Sequence, residues 1–459
     1  MLEKATREYT KEELRKKRRQ KERITAFSIL GAVVVGVILI IIFLIQITTH
    51  QKNNKKVEKE EVKIEEPVVS TNTVSENVSE DSVETVSADN VSQDVVKTVE
   101  QLAAEKEEKK AALDAIIKSY LEQMTIEEKV AGLLFVSPEA LTGVSGVKIA
   151  GSSTSEALSK YAVGGVIYSE ANMETEDQFR ELIFNTNAFC KRELFFAVSD
   201  EGGEKSPFVL SKILEEPIAG EKTTGETGGV AGAYSTALSI GSYLDRYGIG
   251  VNLAPVADTV MSESSFIAER SYGSDVNTVS SLVKSNIKGY EDKEINTCLK
   301  YFPSYGDANK DPGFGIVKTT RTKDDLAKTE IPIFQEGIEA GADFIMVSHV
   351  VAPQISGESI PSCMSKVVVT DIIRNELKFD GVIITDAMKK SAIAQNYKQG
   401  DAAADAIIAG CDMILEPSDI NKAYQGILSA VQEGTITEER IDESLYRIYR
   451  IKFEDQLAQ

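Results

Sequence analysis

Short apolar runs rich in β-branched residues alternate with longer amphipathic stretches over most of the C-terminal three quarters of the chain. This alternation is typical of repeated βα units around a parallel sheet. Eight βα units favour a closed barrel over an open sheet, so the predicted fold class is α/β, a (β/α)8 TIM barrel. The eight predicted strands are Leu133–Ser137, Gly164–Tyr168, Leu194–Ser199, Gly250–Val256, Asn296–Phe302, Asp343–Ser348, Gly381–Thr385 and Asp412–Leu415.

Helices are predicted between these strands, where apolar residues recur at helical spacing. Gly248 and Gly341 each stand between a predicted helix and the next strand, as expected for glycines that end helices. The clearest predicted helices are Thr175–Cys190, Val230–Arg246, Val276–Glu291, Lys323–Ala340 and Ser391–Ala409.

The N-terminal part has a different pattern, with no charged residue from Ile24 to Ile45. As a helix at ~1.5 Å per residue this run spans about 33 Å, enough to cross a bilayer core. A cleaved signal peptide is the alternative, but no small-residue cleavage pattern follows the run. A strongly basic flank precedes it, which places the N-terminus in the cytoplasm and the barrel outside the cell membrane.

The segment after the apolar run is acidic and rich in Ser, Val, Glu and Asn, and lacks helical periodicity. It cannot bury enough apolar surface to offset its ordering entropy, which predicts a disordered stalk. We therefore expect a single-pass membrane protein with four parts: a basic cytoplasmic tail (1–23), a transmembrane helix (24–48), the stalk (49–100) and the barrel (101–459).

Charge and composition limit which binding partners and cofactors the chain is expected to have. The formal net charge of −21 disfavours nucleic acid, which needs a basic surface for its phosphates. The four cysteines show no metal-ligand spacing, and His50 and His349 are the two histidines. We expect neither a metal nor an organic cofactor, since the chain has no His/Cys cluster and no phosphate-cradling glycine loop.

Polar residues follow several predicted strands, at the end of a barrel where active sites lie. Six motifs occur there, in this order: Glu201-Gly202-Gly203, the run from Asn252 to Asp258, Arg270-Ser271-Tyr272-Gly273, Lys300-Tyr301-Phe302-Pro303, Met346-Val347-Ser348-His349, and the run from Gly381 to Asp386. Their identity and order resemble the glycoside hydrolase family 3 N-terminal domain, and most closely its single-domain bacterial β-N-acetylhexosaminidases. The resemblance covers roughly residues 124–417.

The resemblance implies a retaining glycosidase without cofactor, in which a carboxylate attacks the anomeric carbon. Asp386 holds the motif position of that nucleophile, although an aspartate before a helix is also a common N-cap. Glycan, for example peptidoglycan fragments, is the implied partner. The implied substrate-binding residues are Arg270, Lys300, Tyr301, Asp200, Glu201 and His349.

The chain departs from the family pattern at several binding positions. By strict spacing the aspartate before the Glu-Gly-Gly motif is Ser199, with Asp200 as a possible substitute, and the arginine after it is Pro207. Tyr301 stands where the resemblance implies a histidine beside Lys300.

A larger departure concerns the catalytic acid/base. The resemblance implies an Asp-Ser-His triplet eleven residues after Lys300, and here the triplet is Asp311-Pro312-Gly313. The orienting aspartate is retained as Asp311, while a glycine replaces the proton-transferring histidine. Losing such a group typically costs about 10²- to 10⁴-fold in rate.

Two functions therefore stay open. One is an active glycosidase, impaired by Gly313, that uses Asp311, Glu201 or Tyr305 as an unorthodox acid. The other is a catalytically inactive barrel that binds glycan or a partner at the cell envelope. A purely structural anchor would leave the retained Arg270 and Asp386 unexplained.

Overall fold

A computed structural model describes residues 107–454. The predicted tail, transmembrane helix (24–48) and stalk (49–100) lie outside these residues. Within residues 107–454, no helix combines the length and apolar character needed to cross a membrane.

Eight parallel strands form one sheet in the order β7-β6-β5-β4-β3-β2-β1-β8. A parallel bridge between Ile384 and Met413 joins β7 to the chain beside β8 and nearly closes the sheet into a barrel. Each of the eight predicted strands is present, at or inside its predicted bounds. The strands are β1 (Leu134–Val136), β2 (Gly165–Ile167), β3 (Phe195–Val198), β4 (Val251–Asn252), β5 (Asn296–Phe302), β6 (Phe344–Val347), β7 (Val382–Thr385) and β8 (Ile414–Leu415).

Aromatic side chains from distant strands meet inside the barrel. The ring of Phe195 on β3 lies 6.3 Å from that of Phe135 on β1 and 5.3 Å from that of Phe344 on β6. All three side chains are buried. The interior is therefore a packed core, and solvent-accessible chemistry is restricted to the ends of the barrel.

Helices surround the strands, with a further helix over the described residues 107–122 before the barrel. The first we label α1 (107–122), and the others follow in chain order. They are α2 (Ile126–Ala131), α3 (Pro138–Thr142), α4 (Ser152–Lys160), α5 (Glu176–Phe189), α6 (Pro207–Leu210), α7 (Glu221–Thr223), α8 (Gly229–Tyr247), α9 (Val276–Glu291), α10 (Lys323–Lys328), α11 (Glu330–Glu339), α12 (Pro353–Ser356), α13 (Ser391–Ala394), α14 (Gln399–Ala409), α15 (Ile420–Gln432) and α16 (Glu438–Glu454).

Most predicted helices are confirmed, and Gly248 ends α8 with a left-handed φ of 74°. Two predicted helices are each divided in two. The stretch Lys323–Ala340 breaks at Thr329. Pro332 explains this break, because it lacks the N–H that a continuous helix would direct to the carbonyl four residues earlier. The stretch Ser391–Ala409 is likewise divided into α13 and α14.

Candidate active site

Asp386 follows β7 directly, at the end of the barrel where active sites are built. Its Oδ2 accepts a hydrogen bond from the Tyr305 hydroxyl at 3.0 Å and pairs with the Lys390 ammonium at 2.8 Å. Its Oδ1 accepts the backbone N–H of Ala387 at 2.7 Å. Burial alone would raise the pKa of this carboxyl, but Lys390 lowers it to about 2. Asp386 is therefore an ionised, buried carboxylate with a fixed orientation.

A second cluster lies beyond β3 and β5, where Glu201 binds two cations. Arg270 Nε donates to Glu201 at 2.8 Å within a two-pronged contact, and Lys300 Nζ lies 2.5 Å from Glu201 Oε1. Burial raises the pKa of Glu201, but the two cations outweigh it and bring the pKa to about 2. Lys300 is fully buried and also donates to Ser199 Oγ at 3.0 Å. The sequence thus brings a guanidinium, an ammonium and a carboxylate into direct contact.

Tyr301 connects the two clusters. Its hydroxyl accepts a hydrogen bond from Arg270 at 2.7 Å, and its ring lies 5.1 Å from that of Tyr305. The charged groups of Arg270, Lys300 and Lys390 lie 5.4–5.6 Å from the centre of the Tyr301 ring. The mouth of the barrel therefore carries three cations around one aromatic ring.

Asp258 holds this tyrosine pair in position. Its two carboxyl oxygens accept the backbone N–H groups of Tyr301 at 3.0 Å and Tyr305 at 2.8 Å. Burial and the nearby Glu330 raise the pKa of Asp258 to about 8. Asp258 is fully buried, and its two hydrogen bonds hold the backbone at the end of β5 and just after it.

Asp200, predicted to bind substrate, lies in a separate network. Its carboxylate accepts the Gly202 N–H at 2.9 Å and the Ser206 hydroxyl at 2.8 Å, and also bonds the Tyr243 hydroxyl. The side chain is fully buried. These contacts shape the loop after β3. The geometry therefore gives no support to the idea that Asp200 takes over the role of the aspartate that Ser199 replaces.

His349 and Asp311 also lie apart from the Glu201 cluster. The His349 ring is fully buried, with Nε2 3.0 Å from the Ala387 carbonyl oxygen and Nδ1 3.3 Å from Cys363 Sγ. Burial lowers the pKa of His349. This arrangement favours support of the backbone next to Asp386, rather than contact with substrate.

Asp311 caps its own short turn, accepting the Gly313 N–H at 2.7 Å. That turn, Pro312–Phe314, packs beside α13, which begins one residue after Lys390. No hydrogen bond or ion pair links Asp311 to Asp386 within the described part of the chain. Its proposed part in catalysis stays a prediction.

Two residues near the site were missed by the sequence analysis. Lys390 is four residues after Asp386, and this spacing was a usable signal for a side-chain pair. Glu221 has no such signal. It is buried at the start of α7, accepts the Val256 N–H at 3.0 Å, and has a pKa raised well above its usual range by burial and by the charge of Glu201.

Among residues 107–454, no group of three or more His, Cys, Asp or Glu side chains is arranged to hold a metal ion. The charges of the site instead pair with one another: Glu201 with Arg270 and Lys300, and Asp386 with Lys390. The fold and this site define a parallel α/β barrel with an ionised carboxylate and clustered cations at the C-terminal ends of its strands.

The chain belongs to glycosyl hydrolase family 3, whose N-terminal domain matches residues 125–451. Among curated proteins it is 28% identical to Beta-hexosaminidase A of Pseudoalteromonas piscicida, over 65% of this chain and 54% of that protein. It is 29% identical to Beta-hexosaminidase of Chromobacterium violaceum, over 59% of this chain and 77% of that protein. The chain thus spans about half the length of the first relative and three quarters of the second.

Solved structures agree on the fold. The family 3 beta-N-acetylglucosaminidase from Paenibacillus sp. FPU-7 is 28% identical, with a TM-score of 0.68 over 73% of this chain and 64% of that one. A family 3 glycosyl hydrolase from Mycobacterium smegmatis, at 23% identity, has a TM-score of 0.61 over 72% of this chain and 98% of that one. The second likeness concerns the fold alone.

Proposed function

We propose that the barrel is a retaining glycoside hydrolase for β-linked N-acetylhexosaminides, with Asp386 as its nucleophile. The observation that carries this proposal is the environment of Asp386. A buried carboxylate that stays ionised at neutral pH and is oriented by three hydrogen bonds suits attack on an anomeric carbon. The names of the relatives, beta-hexosaminidase and beta-N-acetylglucosaminidase, support the sugar class.

The Glu201 cluster suits the binding of sugar hydroxyls. Arg270 is one-fifth exposed and its fixed N–H groups are suited to directional hydrogen bonds. Because Glu201 neutralises much of the charge of Arg270 and Lys300, a neutral sugar can bind there without facing two bare cations. Tyr301 offers an aromatic surface next to this cluster.

We further propose that hydrolysis of natural glycans is slower than in a barrel with a histidine at position 313. Glycine has no side chain to transfer a proton, and the buried His349 is held against Ala387 and Cys363. Where no other side chain transfers the proton, the expected loss is about 10²- to 10⁴-fold for poor leaving groups and small for activated ones.

The test is hydrolysis of an aryl β-N-acetylglucosaminide and of a natural cell-wall disaccharide, measured side by side. Turnover of the aryl substrate that disappears in Asp386→Asn supports the proposal. Glu416→Gln is a matched control, because this acidic residue follows the neighbouring strand β8 and pairs with Lys389. Equal turnover by wild type and Asp386→Asn would contradict the assignment of the nucleophile.

A catalytically inactive, glycan-binding barrel is the second candidate. It is favoured by the Lys390 contact, because Asp386 Oδ2 is already occupied by an ammonium and a tyrosine hydroxyl. Saturable binding of N-acetylglucosaminyl oligosaccharides without turnover of either substrate would select this candidate.

We also propose that the N-terminal apolar run anchors the barrel outside the cell membrane and near its peptidoglycan. The motivation is the basic flank before Ile24 and the absence of charge up to Ile45. Protease added to intact cells should release a fragment that begins within residues 57–99. Recovery of the barrel only from the cytosol would rule out this location.

A further inference from the structure

Lys390 is the charged group nearest to the nucleophile position, and it lies on the solvent side of that group. Its Nζ is 2.8 Å from Asp386 Oδ2, and its side chain is 22% exposed against 4% for Asp386. Tyr305, which also contacts Asp386 Oδ2, is fully buried, and so is His349, whose backbone N–H donates to the Tyr305 hydroxyl. A sugar that approaches Asp386 through the mouth of the barrel would therefore meet Lys390 first.

The other acid candidates are less well placed to give up a proton. Glu201 is ionised between Arg270 and Lys300, and its pKa is lowered to about 2, so it carries no proton at neutral pH. The Tyr305 hydroxyl is buried and already donates to Asp386. Asp311 accepts a hydrogen bond from its own turn.

Lys390 differs from these groups in having unused donors. An ammonium carries three N–H groups, and within residues 107–454 one of them is engaged, by Asp386. Lys300, by comparison, contacts Glu201, Ser199 and the Leu253 carbonyl. Lys390 therefore has N–H groups that are free to donate to the oxygen of a bound sugar.

We propose that Lys390 is the proton donor and acceptor of this barrel, in the role that the missing side chain at position 313 leaves open. This inference rests on the proposed hydrolase function and names a further catalytic residue for it.

The chemistry balances in two steps. In the first, an Asp386 oxygen bonds to the anomeric carbon, the glycosidic C–O bond breaks, and a proton passes from Lys390 Nζ to the departing oxygen. In the second, neutral Lys390 takes a proton from water, whose oxygen bonds to the anomeric carbon while the bond to Asp386 breaks. The Asp386 carboxylate and the Lys390 ammonium are thereby restored.

Electrostatic coupling to Asp386 makes Lys390 more acidic during the first step of the reaction. Burial lowers the pKa of Lys390, but the charge of Asp386 raises it above its usual value in the free protein. When Asp386 becomes a neutral ester, that charge is gone and burial dominates, so the ammonium releases its proton more readily. Nucleophilic attack and proton transfer are then driven by the same loss of charge.

The geometry requires a movement of the side chain. Acid and nucleophile in retaining glycosidases stand about 5–5.5 Å apart, which is further than the Lys390–Asp386 contact in the free protein. The flexible four-carbon stem of lysine allows the ammonium to move outward when a sugar ring enters. The centre of the Tyr301 ring lies 5.6 Å from Nζ in the free protein.

The test compares wild type, Lys390→Met and Lys390→Arg on aryl β-N-acetylglucosaminides of graded leaving-group pKa and on N,N′-diacetylchitobiose. We expect Lys390→Met to slow disaccharide hydrolysis by about 10²- to 10⁴-fold and to affect the most activated aryl substrate little. Lys390→Arg keeps the positive charge beside Asp386, but a guanidinium does not release a proton at neutral pH. Its activity profile should therefore resemble that of Lys390→Met. A purely structural role would not produce this dependence on the leaving group.

Lys389→Met is the matched control, because the neighbouring Lys389 is 57% exposed and pairs with Glu416. It should behave as wild type on every substrate. If Lys390→Met is poorly folded, Lys390→Arg, which can retain the ion pair, carries the test alone.

Three results would overturn the proposal. Lys390→Met or Lys390→Arg that cleaves the disaccharide as fast as wild type, or faster, would show that Lys390 does not donate the proton, and a gain would show that it blocks Asp386. If the wild-type protein cleaves only activated aryl substrates, Lys390 is not a proton donor, but the proposed hydrolase function still holds. Wild-type protein that cleaves neither would overturn the proposed function itself.

Discussion

Replacing Glu201 by glutamine should destabilise the folded barrel, because it removes the negative charge between two cations. Glu201 lies within 2.8 Å of both Arg270 and Lys300, and its side chain is 13% exposed. The Lys300 side chain is 1% exposed, so without Glu201 it keeps a buried charge and loses its ion pair. Breaking a buried ion pair from one side costs about 3–5 kcal/mol.

The pKa of Glu201 gives a second way to calculate how much its ion pairs stabilise the folded barrel. Its folded-state pKa is about 2, against an ordinary value of 4.5. At ~1.36 kcal/mol per pKa unit this corresponds to roughly 3 kcal/mol of stabilisation. Because the folded-state pKa is the lower one, the stabilisation is complete above pH 4.5 and is lost as the pH falls toward 2.

The assay is urea unfolding of the purified full-length protein, followed by circular dichroism at several pH values between 7 and 3. The free energy of unfolding of Glu201→Gln should be about 3 kcal/mol below wild type at pH 7, and the difference should shrink below pH 4.5. Glu269→Gln is the control, since Glu269 is 68% exposed and pairs with a surface lysine. A Glu201→Gln protein as stable as wild type at pH 7, or a deficit unchanged at pH 3, would refute the reasoning.

Three further predictions concern the nucleophile, the acid position and the helix packing. Asp386→Asn should abolish turnover of aryl β-N-acetylglucosaminides while the melting temperature shows that the barrel still folds, and undiminished activity would contradict the covalent route. Pro312→Ser combined with Gly313→His should raise turnover of substrates with poor leaving groups by up to about 10²- to 10⁴-fold. The double variant should gain more than Gly313→His alone, because proline fixes φ near roughly −65°. A disaccharide assay of both variants decides this. Gly426→Ala should lower the free energy of unfolding by about 1–3 kcal/mol, because the new Cβ would lie 2.4 Å from Gly400 Cα where α14 and α15 cross, and an unchanged urea midpoint would contradict it.

The position of the new side chain at residue 313 depends on the turn around it. A Cβ at Gly313 would lie 3.0 Å from Asp311 Oδ1, so an added histidine needs a small shift of the capping carboxylate. The Gly313 backbone itself does not adopt the left-handed conformation that would exclude a side chain. Position 313 can therefore carry a side chain once this carboxylate shifts.

The fold was largely determined by local sequence pattern. All eight strands follow from apolar, β-branched runs, because a strand buried on both faces has to be apolar along its whole length. The helix predictions failed locally at Thr329 and within 391–409, where a single long periodic stretch concealed a break. Pro332, which is visible in the sequence, caused the first break. A prediction made from the spacing of apolar residues alone does not account for the one missing hydrogen bond.

The sequence by itself determined the membership of the family, the barrel and the set of polar residues at the ends of its strands. The sequence also led to the prediction, still untested, that Gly313 is a departure at the acid position, since this prediction needs only the spacing from Lys300. Only the tertiary structure decided which of these residues meet. Glu201, Arg270 and Lys300 come from three separate parts of the chain, while Asp200, next to Glu201, faces a different network. The physical reason is that hydrogen bonds and ion pairs with distant parts of the chain fix each side chain, so sequence position places a residue at the mouth without fixing what its side chain contacts.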